Sequence, residues 1–264
     1  MTLQVLLSAM HLADESYIDS LHILSDAVVI NQCDRTSRRE VERKTGRGIQ
    51  HVTYIESTQR GLSRSRNMAI RNARADICIL CDNDVEYADD YEEKILSAFE
   101  EHPDADLIVF YIQRKEKPEP NYPTKRWMGY LSVMKIFSPE IAFRRRSVQG
   151  LTFNESFGAG SGKYLMGEEN IFLYDCLKAR RKILYVPEKI ATLREEESTW
   201  FQGYNKAFFL SRGAGYAAMS RFFSHVLIWQ FALRKRELYR KEMRTITALT
   251  YMYRGRSEYL REQS

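Results

Sequence analysis

The sequence has few cysteines, few prolines and no long apolar run. Four cysteines among 264 residues are too few for a disulfide-held scaffold, and their apolar surroundings favour buried thiols in a reducing, cytoplasmic setting. Six prolines and 13 glycines exclude a low-complexity or fibrous chain. No stretch approaches the roughly 18 to 20 apolar residues of a membrane-spanning helix, and Met1 leads directly into the strand-like run 3–8. We therefore expect neither a membrane span nor a leader peptide.

Residues for nucleophilic or transition-metal chemistry are also sparse. The five histidines are scattered without metal-ligand spacing, and the sequence offers no Ser–His or Cys–His arrangement. Cys78 and Cys81 form a C-x-x-C inside an apolar run, but positions three apart on a strand point to opposite faces. We interpret both as structural thiols. The chemistry of this chain is therefore expected to come from carboxylates, amides and cations.

The basic charge is concentrated near the C-terminus. Residues 221–264 contain ten Lys and Arg against four Asp and Glu, whereas the other 220 residues contain 30 against 31. The same segment is predicted to be helical, with Tyr239, Met243, Ile246 and Tyr253 on one stripe. It also combines the aromatic residues Phe222, Phe223, Trp229 and Phe231 with the basic residues 234–236, 240–241 and 244. A basic amphipathic helix with aromatic residues is typical of contact with an anionic membrane surface. The alternative is that the stripe packs on the main domain or on a second copy of the chain in a homodimer.

The first 115 residues alternate strand-like and helix-like segments, which predicts an α/β fold with a mainly parallel sheet flanked by helices. Predicted strands lie at 4–10, 27–31, 51–55, 77–81 and 106–113, and predicted helices at 15–24, 38–44, 63–73 and 90–101. After a proline-rich loop at 115–125 come a helix at 127–136, a strand at 141–144, a Gly-rich loop at 157–163, a helix at 168–179, a strand at 183–186 and helices from 198 onward. We therefore divide the chain into 1–115, 116–215 and a helical C-terminal extension, 216–264.

The most informative motif is Asp82-Asn83-Asp84, which follows the apolar run 77–81. A buried parallel strand presents ligand-binding residues at its carboxyl end. Two carboxylates one residue apart can hold a hard divalent cation there, and such a cation usually bridges to substrate phosphates. The alternative is an acidic turn without a ligand, since turns favour Asp and Asn.

Two further features carry possible chemistry. Arg66 lies on the apolar face of the predicted helix at 63–73, where a guanidinium needs a partner. That partner can be a diphosphate, the acids after 77–81, or a purely structural ion pair. Glu168-Glu169 opens the predicted helix at 168–179, just after the Gly-rich loop. One of them can serve as a general base toward a sugar hydroxyl. The alternative is simple stabilisation of the helix N-terminus.

The order of these segments resembles the inverting family-2 glycosyltransferases of the GT-A fold. Those enzymes have a second strand ending in polar residues, here Asn31-Gln32, and a helix containing Arg-Asn, here Arg66-Asn67. A strand into D-x-D and a later Glu-Asp-type pair follow in the same order. The resemblance covers residues 1–215 and is closest to bacterial enzymes that build capsular or exopolysaccharide repeat units.

The resemblance implies a nucleotide-sugar donor site at the predicted strand ends. It assigns nucleoside contact to Ala9 and Met10, base contact to Asn31 and Gln32, and ribose or sugar contact to Asp82 beside Asn83. Mn²⁺ or Mg²⁺ on the diphosphate is assigned to Asp84 with Asp82. Glu169 would be the general base, with Glu168 beside it. Apart from the resemblance, we expect Arg66 and, on the helix that follows Trp200, Arg212 to contact the diphosphate.

The resemblance also implies a reaction. A hexose would pass from a nucleotide sugar, by default a UDP-sugar, to a hydroxyl of a glycan or polyprenyl-linked oligosaccharide. The cation and Arg66 would neutralise the leaving diphosphate, while Glu169 takes the proton of the attacking hydroxyl. A single displacement of this kind inverts the anomeric configuration. The enzyme would then work in the cytoplasm, peripherally on the inner face of the cell membrane.

Three positions depart from the family pattern. Acids are usual where this chain has Asn31-Gln32, Glu169 stands in place of the commoner Asp, and 193–195 lacks the histidine that many relatives use as a metal ligand.

Two other functions stay open. A nucleic-acid-binding protein could use the basic C-terminal segment, but that function leaves the acidic motifs unexplained. A sugar nucleotidyltransferase would normally have a Gly-rich phosphate loop after the first strand, and residues 9–13 contain no glycine.

Overall fold

The computed structural model describes residues 1–194, 201 and 203–263, which form two compact units. The first unit comprises Met1–Arg60, Arg64–Thr152 and Cys176–Glu196, and the second comprises Gly61–Ser63, Phe153–Asp175 and Glu197–Ser264. These units differ from the division predicted at 115 and 215, because residues 216–264 group with 153–175.

The first unit is built on a ten-stranded mixed sheet. Its strands are β1 Leu3–Met10, β2 Asp26–Gln32, β3 Ser37–Thr45, β4 Gly48–Ser57, β5 Ile77–Asp82, β6 Val85–Tyr87, β7 Leu107–Gln113, β8 Arg126–Trp127, β9 Ile141–Arg144 and β10 Ile183–Leu193. They are ordered β3-β4-β2-β1-β5-β9-β7-β10-β6, and β8 pairs with β10. Strands β4, β2, β1, β5, β7 and β10 run in one direction, so the predicted mainly parallel sheet is confirmed.

The strands form where the sequence has short apolar runs. The runs in β5 and β7 are buried along almost their whole length, as expected for strands covered on both faces. The first unit also contains α1 Tyr17–Ser20, α3 Tyr91–Glu101 and, from Arg64 onward, α2 Leu62–Asn72. Ile95 and Phe99 of α3 belong to the same buried core as β1 and β5. All four cysteines are buried free thiols, as predicted.

The helix predicted at 38–44 is wrong, since this segment is the edge strand β3. β3 forms an antiparallel hairpin with β4, and its side chains alternate between half-buried and exposed. Arg39 illustrates the inward set, with its guanidinium 4.1 Å from the ring centre of Tyr54. Arg, Glu and Lys favour helices intrinsically, but pairing with β4 overrides this weak preference. Charged side chains also protect an exposed sheet edge from further pairing.

Two other predicted helices are much shorter in the structure. The segment 15–24 contains only the single turn of α1, and His22 adopts a φ of +53° that ends it. The segment 127–136 begins in β8 and contains only a 3-10 turn, Val133–Lys135. Here the backbone N–H of Met128 donates to the carbonyl of Ile183 at 2.8 Å, so the start of this segment extends the sheet instead.

The second unit is helical over most of its length, as predicted. Its helices are α4 Glu168–Lys178 as far as Asp175, α5 Lys206–Met219, α6 Ser224–Arg234, α7 Arg236–Tyr239 and α8 Thr245–Glu262. The helical start predicted at 198 lies outside the described residues. No helix among the described residues is long and apolar enough to cross a membrane.

The apolar stripe predicted at 239–253 does not form one continuous surface. Tyr239 is fully buried and its hydroxyl donates to the carbonyl of Ala232, whereas Ile246 is 70% exposed. The reason is that the chain leaves the helix after Tyr239 and starts α8 only at Thr245. Helical spacing therefore does not carry across this break.

Candidate active site

Five of the predicted donor residues lie at the carboxyl ends of the parallel strands β1, β2 and β5, namely Ala9, Met10, Asn31, Gln32 and Asp82. The strand register places Ala9 beside Asn31 and Met10 beside Gln32. It also places Ser8 of β1 beside Asp82 of β5. Since β2 and β5 flank β1 on opposite sides, β1 lies at a topological switch point of the sheet. Open α/β sheets bind ligands at the carboxyl ends of strands at such points.

The Asp82-Asn83-Asp84 motif forms the tight connection between β5 and β6. The Tyr17 hydroxyl donates to the carbonyl of Asn83 at 2.9 Å, and the backbone N–H of Arg194 donates to the carbonyl of Asp84 at 2.8 Å. The side chains of Asp82 and Asp84 are half-buried. The motif is thus a turn, and the turn is fixed with both carboxylates at the carboxyl end of β5.

Arg66 has the partner that its position on an apolar face requires. Its side chain is only 1% exposed, and its Nη2 donates to Asp82 Oδ1 at 2.9 Å and Oδ2 at 3.2 Å. The neighbouring Ser65 hydroxyl donates to Ser8 Oγ at 2.8 Å, which ties α2 to the end of β1. A buried guanidinium is costly unless it is paired. The pair therefore fixes a positive charge beside the D-x-D turn.

The predicted base-contacting residues are closely packed. Asn31 is fully buried, and its amide exchanges hydrogen bonds of 2.9 and 3.0 Å with the backbone of Leu12 and donates to the Tyr54 hydroxyl at 3.0 Å. Asn31 thereby holds the chain segment that leaves β1. Gln32 is also buried, whereas Met10 is about half exposed. Contact of Asn31 and Gln32 with a nucleotide base stays a prediction.

The sequence-based candidates do not include Glu56, a buried acid at the carboxyl end of a neighbouring parallel strand. It lies next to the last residue of β4, beside Asn31, and it accepts hydrogen bonds from Arg35 Nε at 2.7 Å and Ser37 Oγ at 2.6 Å. The bond from Ser37, followed by that from Arg35, lowers the pKa of Glu56 although burial acts in the opposite direction. Its signal in the sequence is an acid placed directly after the predicted strand 51–55. No acid directly follows the second predicted strand, whereas Glu56 directly follows the third.

The donor set at the turn fits a hard divalent cation that shares its coordination with a substrate. Among the described residues, no group of three His, Cys, Asp or Glu side chains could hold a metal ion without help. Mg²⁺ and Mn²⁺ accept one or two carboxylates together with phosphate oxygens and water. Asp84 and Asp82 supply oxygen ligands of that kind. At the predicted position of a further ligand, Arg194 is a cation that pairs with Glu86, and Glu195 lies outside the described residues.

The Glu168-Glu169 pair occupies the first turn of α4 in the second unit. Glu168 is 6% exposed, and Glu169 is half-buried. A Cβ built on Gly158 would lie 3.2 Å from Glu168 Cδ and Oε2, so this carboxylate rests against the glycine backbone. The Glu168 carboxylate thus lies close to the Gly-rich loop, and Glu169 follows it at the start of the helix. Carboxylates at a helix N-terminus are favoured by the helix dipole.

The same Gly-rich loop is tied to the segment Gly61–Ser63 of the second unit. Ala159 accepts a backbone hydrogen bond from Leu62 at 2.9 Å, and the carbonyl of Phe157 accepts one from the Ser63 hydroxyl at 2.7 Å. Gly160 approaches Gly61 so closely that a Cβ on either would lie about 3.5 Å from the other's backbone. The loop is therefore a structured element rather than a loose connector.

Arg212, the predicted diphosphate-binding residue of α5, packs among aromatic rings of the second unit. Its guanidinium lies 5.2 Å from the ring centre of Phe208 and 5.0 Å from that of Phe231. Cation–π contacts of this kind stabilise a partly buried arginine. Contact of Arg212 with a diphosphate stays a prediction.

Comparison with known proteins decides the family. The profile of glycosyl transferase family 2 matches residues 16–166, more than half of the chain. The chain belongs to glycosyl transferase family 2. The match includes the D-x-D turn and the Arg66–Asp82 pair and ends just before Glu168-Glu169. No curated protein sequence matches the chain at a significant level.

Solved structures support the GT-A fold of this family 2 member. The chain of TarS 1–349 of S. aureus, in complex with UDP, is similar with a TM-score of 0.62 and 12% identity, over 97% of this chain and 81% of that one. Its complex with UDP-GlcNAc has a TM-score of 0.61 and 14% identity, over 92% of this chain and 74% of that one. The mannosyltransferase PcManGT of Pyrobaculum calidifontis, in complex with GDP-Man and Mn²⁺, has a TM-score of 0.54 and 13% identity. The similarity covers 96% of this chain and 73% of that one. At such identities the likeness concerns the fold alone.

Proposed function

We propose that this family 2 member is an inverting hexosyltransferase that uses a nucleotide-sugar donor. The observation that carries the proposal is the buried Arg66–Asp82 pair beside the D-x-D turn, at the switch point of the sheet. The fold relatives bind such donors, since TarS was solved with UDP-GlcNAc and PcManGT with GDP-Man. A UDP-sugar is the first donor to test.

The donor end of the reaction is assigned to the first unit. Asp84 and Asp82 would hold Mn²⁺ or Mg²⁺, which supplies Lewis-acid stabilisation of the departing diphosphate when bound. Arg66 adds a fixed positive charge that needs no reorganisation as the diphosphate leaves, because Asp82 already orients it. The Asn31 amide orders the segment after β1, next to which the nucleoside is proposed to lie.

The acceptor end of the reaction is assigned to the second unit. Glu169 would accept the proton of the attacking hydroxyl, and Glu168, close to Gly158, would orient this turn of α4. The acceptor is proposed to be a glycan or a polyprenyl-linked oligosaccharide in polysaccharide synthesis. The basic C-terminal segment supports work at the cytoplasmic face of a membrane, since it brings cations to anionic lipids.

The test is calorimetric titration of the whole protein with UDP, UDP-sugars, GDP and GDP-sugars, with and without Mn²⁺. We expect metal-dependent binding of one nucleotide class. Asp84→Asn should weaken that binding tenfold or more, because the turn loses a charged oxygen ligand. Asp89→Asn, an exposed position outside the turn, is the matched control and should bind as the unmodified protein does.

The base is tested in the same preparation by turnover. Glu169→Gln should bind the donor normally but lose at least a hundredfold in turnover, because an amide cannot accept the proton. Loss in Glu168→Gln with normal turnover in Glu169→Gln would move the base by one residue. If no nucleotide of the panel binds, the donor site fails and the two alternative functions return.

A further inference from the structure

Exposed apolar side chains are concentrated in one short part of the second unit. Among the described residues, seven of the fourteen exposed large apolar side chains lie between residues 222 and 246. Phe222 is 83% exposed, Val226 62%, Trp229 48% and Leu233 62%. Contiguous exposed apolar surface of this kind marks contact with a partner or a membrane.

These four residues form one stripe along α6 and the residue pair that precedes it. Their spacing of four, three and four residues is that of a single helical face. The opposite face of α6, with Leu227, Ile228 and Ala232, is buried within the second unit. α6 is therefore apolar on both sides, and its own unit covers only one of them. We call Phe222, Val226, Trp229 and Leu233 the α6 stripe.

The charges around the α6 stripe lie at its two ends. Residues 222–233 contain no Lys, Arg, Asp or Glu. Arg221 precedes the stripe and the exposed run Arg234–Arg236 follows it. From 221 to 244 the sequence has seven cations and two acids, one of which, Glu237, pairs with Arg240. An apolar centre with basic ends matches an anionic bilayer, in which phosphates lie around an apolar interior.

A second copy of the chain fits this surface poorly. Antiparallel pairing of two α6 helices would bring Arg221 of one copy toward Arg234–Arg236 of the other. Parallel pairing would bring each basic end of one copy next to the same basic end of the other. Both arrangements place like charges together, which opposes association. Lipid phosphates supply the missing counter-charge at both ends.

We propose that α6 lies in the interface of an anionic lipid bilayer, with the α6 stripe inserted among the acyl chains and Arg221 and Arg234–Arg236 on the lipid phosphates. The proposal specifies the membrane contact within the proposed function, but it rests on the surface of the second unit and not on the donor site. The proposed membrane contact is made by α6 and not by the apolar stripe predicted at 239–253.

The test is flotation of the whole protein with vesicles of phosphatidylcholine alone and with vesicles containing 30% phosphatidylglycerol. We expect binding to the anionic vesicles at least tenfold stronger than to the neutral ones. The double substitution Phe222→Ser with Trp229→Ser should reduce binding at least tenfold. Phe222→Tyr with Trp229→Phe should restore it, because those rings are still amphipathic or apolar.

Matched controls separate the α6 stripe from general surface effects. Ile49→Ser with Leu131→Ser removes two apolar side chains more than 60% exposed in the first unit, and should bind as the unmodified protein does. Replacing Arg234, Lys235 and Arg236 by Gln should weaken binding at least tenfold. Replacing three exposed cations elsewhere, Lys44, Arg71 and Arg146, by Gln makes the same change in net charge. It should alter vesicle binding less than threefold.

Three outcomes would overturn the proposal. Binding could be equal on neutral and anionic vesicles, or unchanged in the stripe variant. Alternatively, light scattering could show a dimer that the stripe variant converts to monomers, which would make the stripe a protein interface. Unchanged thermal unfolding of each variant shows that it is folded. Vesicle binding is measured without nucleotide, so a protein that floats but binds no donor would contradict the proposed function alone.

Discussion

At the scale of single residues, the carboxyl ends of the parallel strands are organised by buried charges that each have a fixed partner. Arg66 is held by Asp82, and Glu56 by Arg35 and Ser37. Burying such charges unpaired would cost several kcal/mol each. The partners therefore fix the position of these side chains before any ligand arrives. Fixed charges of this kind are what electrostatic stabilisation of a leaving group requires.

Replacing Glu56 by Gln removes the charge from this pairing and measures what the pairing contributes to stability at neutral pH. The pKa of Glu56 is lowered from its ordinary value of 4.5. Its stabilising contribution is therefore present above pH 4.5 and is lost as the pH falls through the folded-state pKa. We expect Glu56→Gln to lower the free energy of unfolding by about 1 to 3 kcal/mol at pH 7. The difference should shrink as the pH falls toward 4.

Urea unfolding at pH 7, 5 and 4 measures this difference. Glu42→Gln is the control, because the Glu42 side chain is 73% exposed on the edge strand β3. Its effect should stay within about 0.5 kcal/mol at every pH. A Glu56→Gln difference that stays constant from pH 7 to 4 would contradict the assignment of a lowered pKa.

The sequence could place such residues but not their partners. It predicts that Asn31, Asp82 and Asp84 follow strands, since apolar runs of strand length precede them. It left Arg66 with several possible partners, because a guanidinium on an apolar face pairs with whatever acid the fold brings close. Glu56 was missed because its importance comes from burial and from Ser37 across a hairpin, and the first strand of that hairpin, β3, was predicted as a helix.

At the scale of elements, the contact between α5 and α8 depends on two glycines. A Cβ on Gly213 would lie 1.9 Å from the carbonyl oxygen of Met252, and one on Gly255 would lie 2.0 Å from that of Leu210. These distances are far inside van der Waals contact, and the atoms that would have to move are backbone. The two helices can lie this close only because neither position carries a side chain.

Gly213→Ala should therefore destabilise the protein by about 2 to 4 kcal/mol, as expected for overpacking that backbone must relieve. Gly215→Ala on the same helix is the matched control, because the nearest atom to its added Cβ is Phe157 Cε1 at 3.8 Å. It should be neutral or stabilising by up to about 1 kcal/mol, since Ala favours a helix over Gly. Thermal unfolding of both variants checks this, and equal effects would show that the two helices can separate at little cost.

The elements also show where sequence patterns stop being informative. Continuous apolar runs predict β1, β2, β5 and β7 because only buried strands need them. β3 was mistaken for a helix, since its charged residues favour helices locally and only β4 turns them into a strand. The stripe at 239–253 failed for another reason. Helical spacing has no meaning across the break between α7 and α8, and no sequence signal marks that break as strongly as proline or glycine would.

At the scale of the whole molecule, the C-terminal part of the chain is not an appendage. Tyr259 of α8 packs against Phe157 and Tyr164 with ring centres 5.6 and 6.2 Å away, and its hydroxyl accepts a hydrogen bond from Asn154 at 3.1 Å. These residues flank the Gly-rich loop of the second unit. The basic segment therefore combines two roles, because α8 completes a core while α6 presents an apolar stripe.

A truncation separates these roles. Ending the chain after residue 244 removes α8 and exposes the rings that Tyr259 covers, together with the face of α5 around Gly213. We expect this truncated protein to lose the cooperative unfolding of the second unit and to bind a hydrophobic dye, because its core is incomplete. Ending the chain after residue 260 keeps Tyr259 and removes the exposed ion pair between Lys163 and Glu262, which is worth at most about 1 kcal/mol. That shorter deletion should unfold like the unmodified protein by circular dichroism.

If the chain ending at 244 unfolds with an unchanged midpoint and binds no dye, α8 is dispensable and the C-terminal part is an appendage after all.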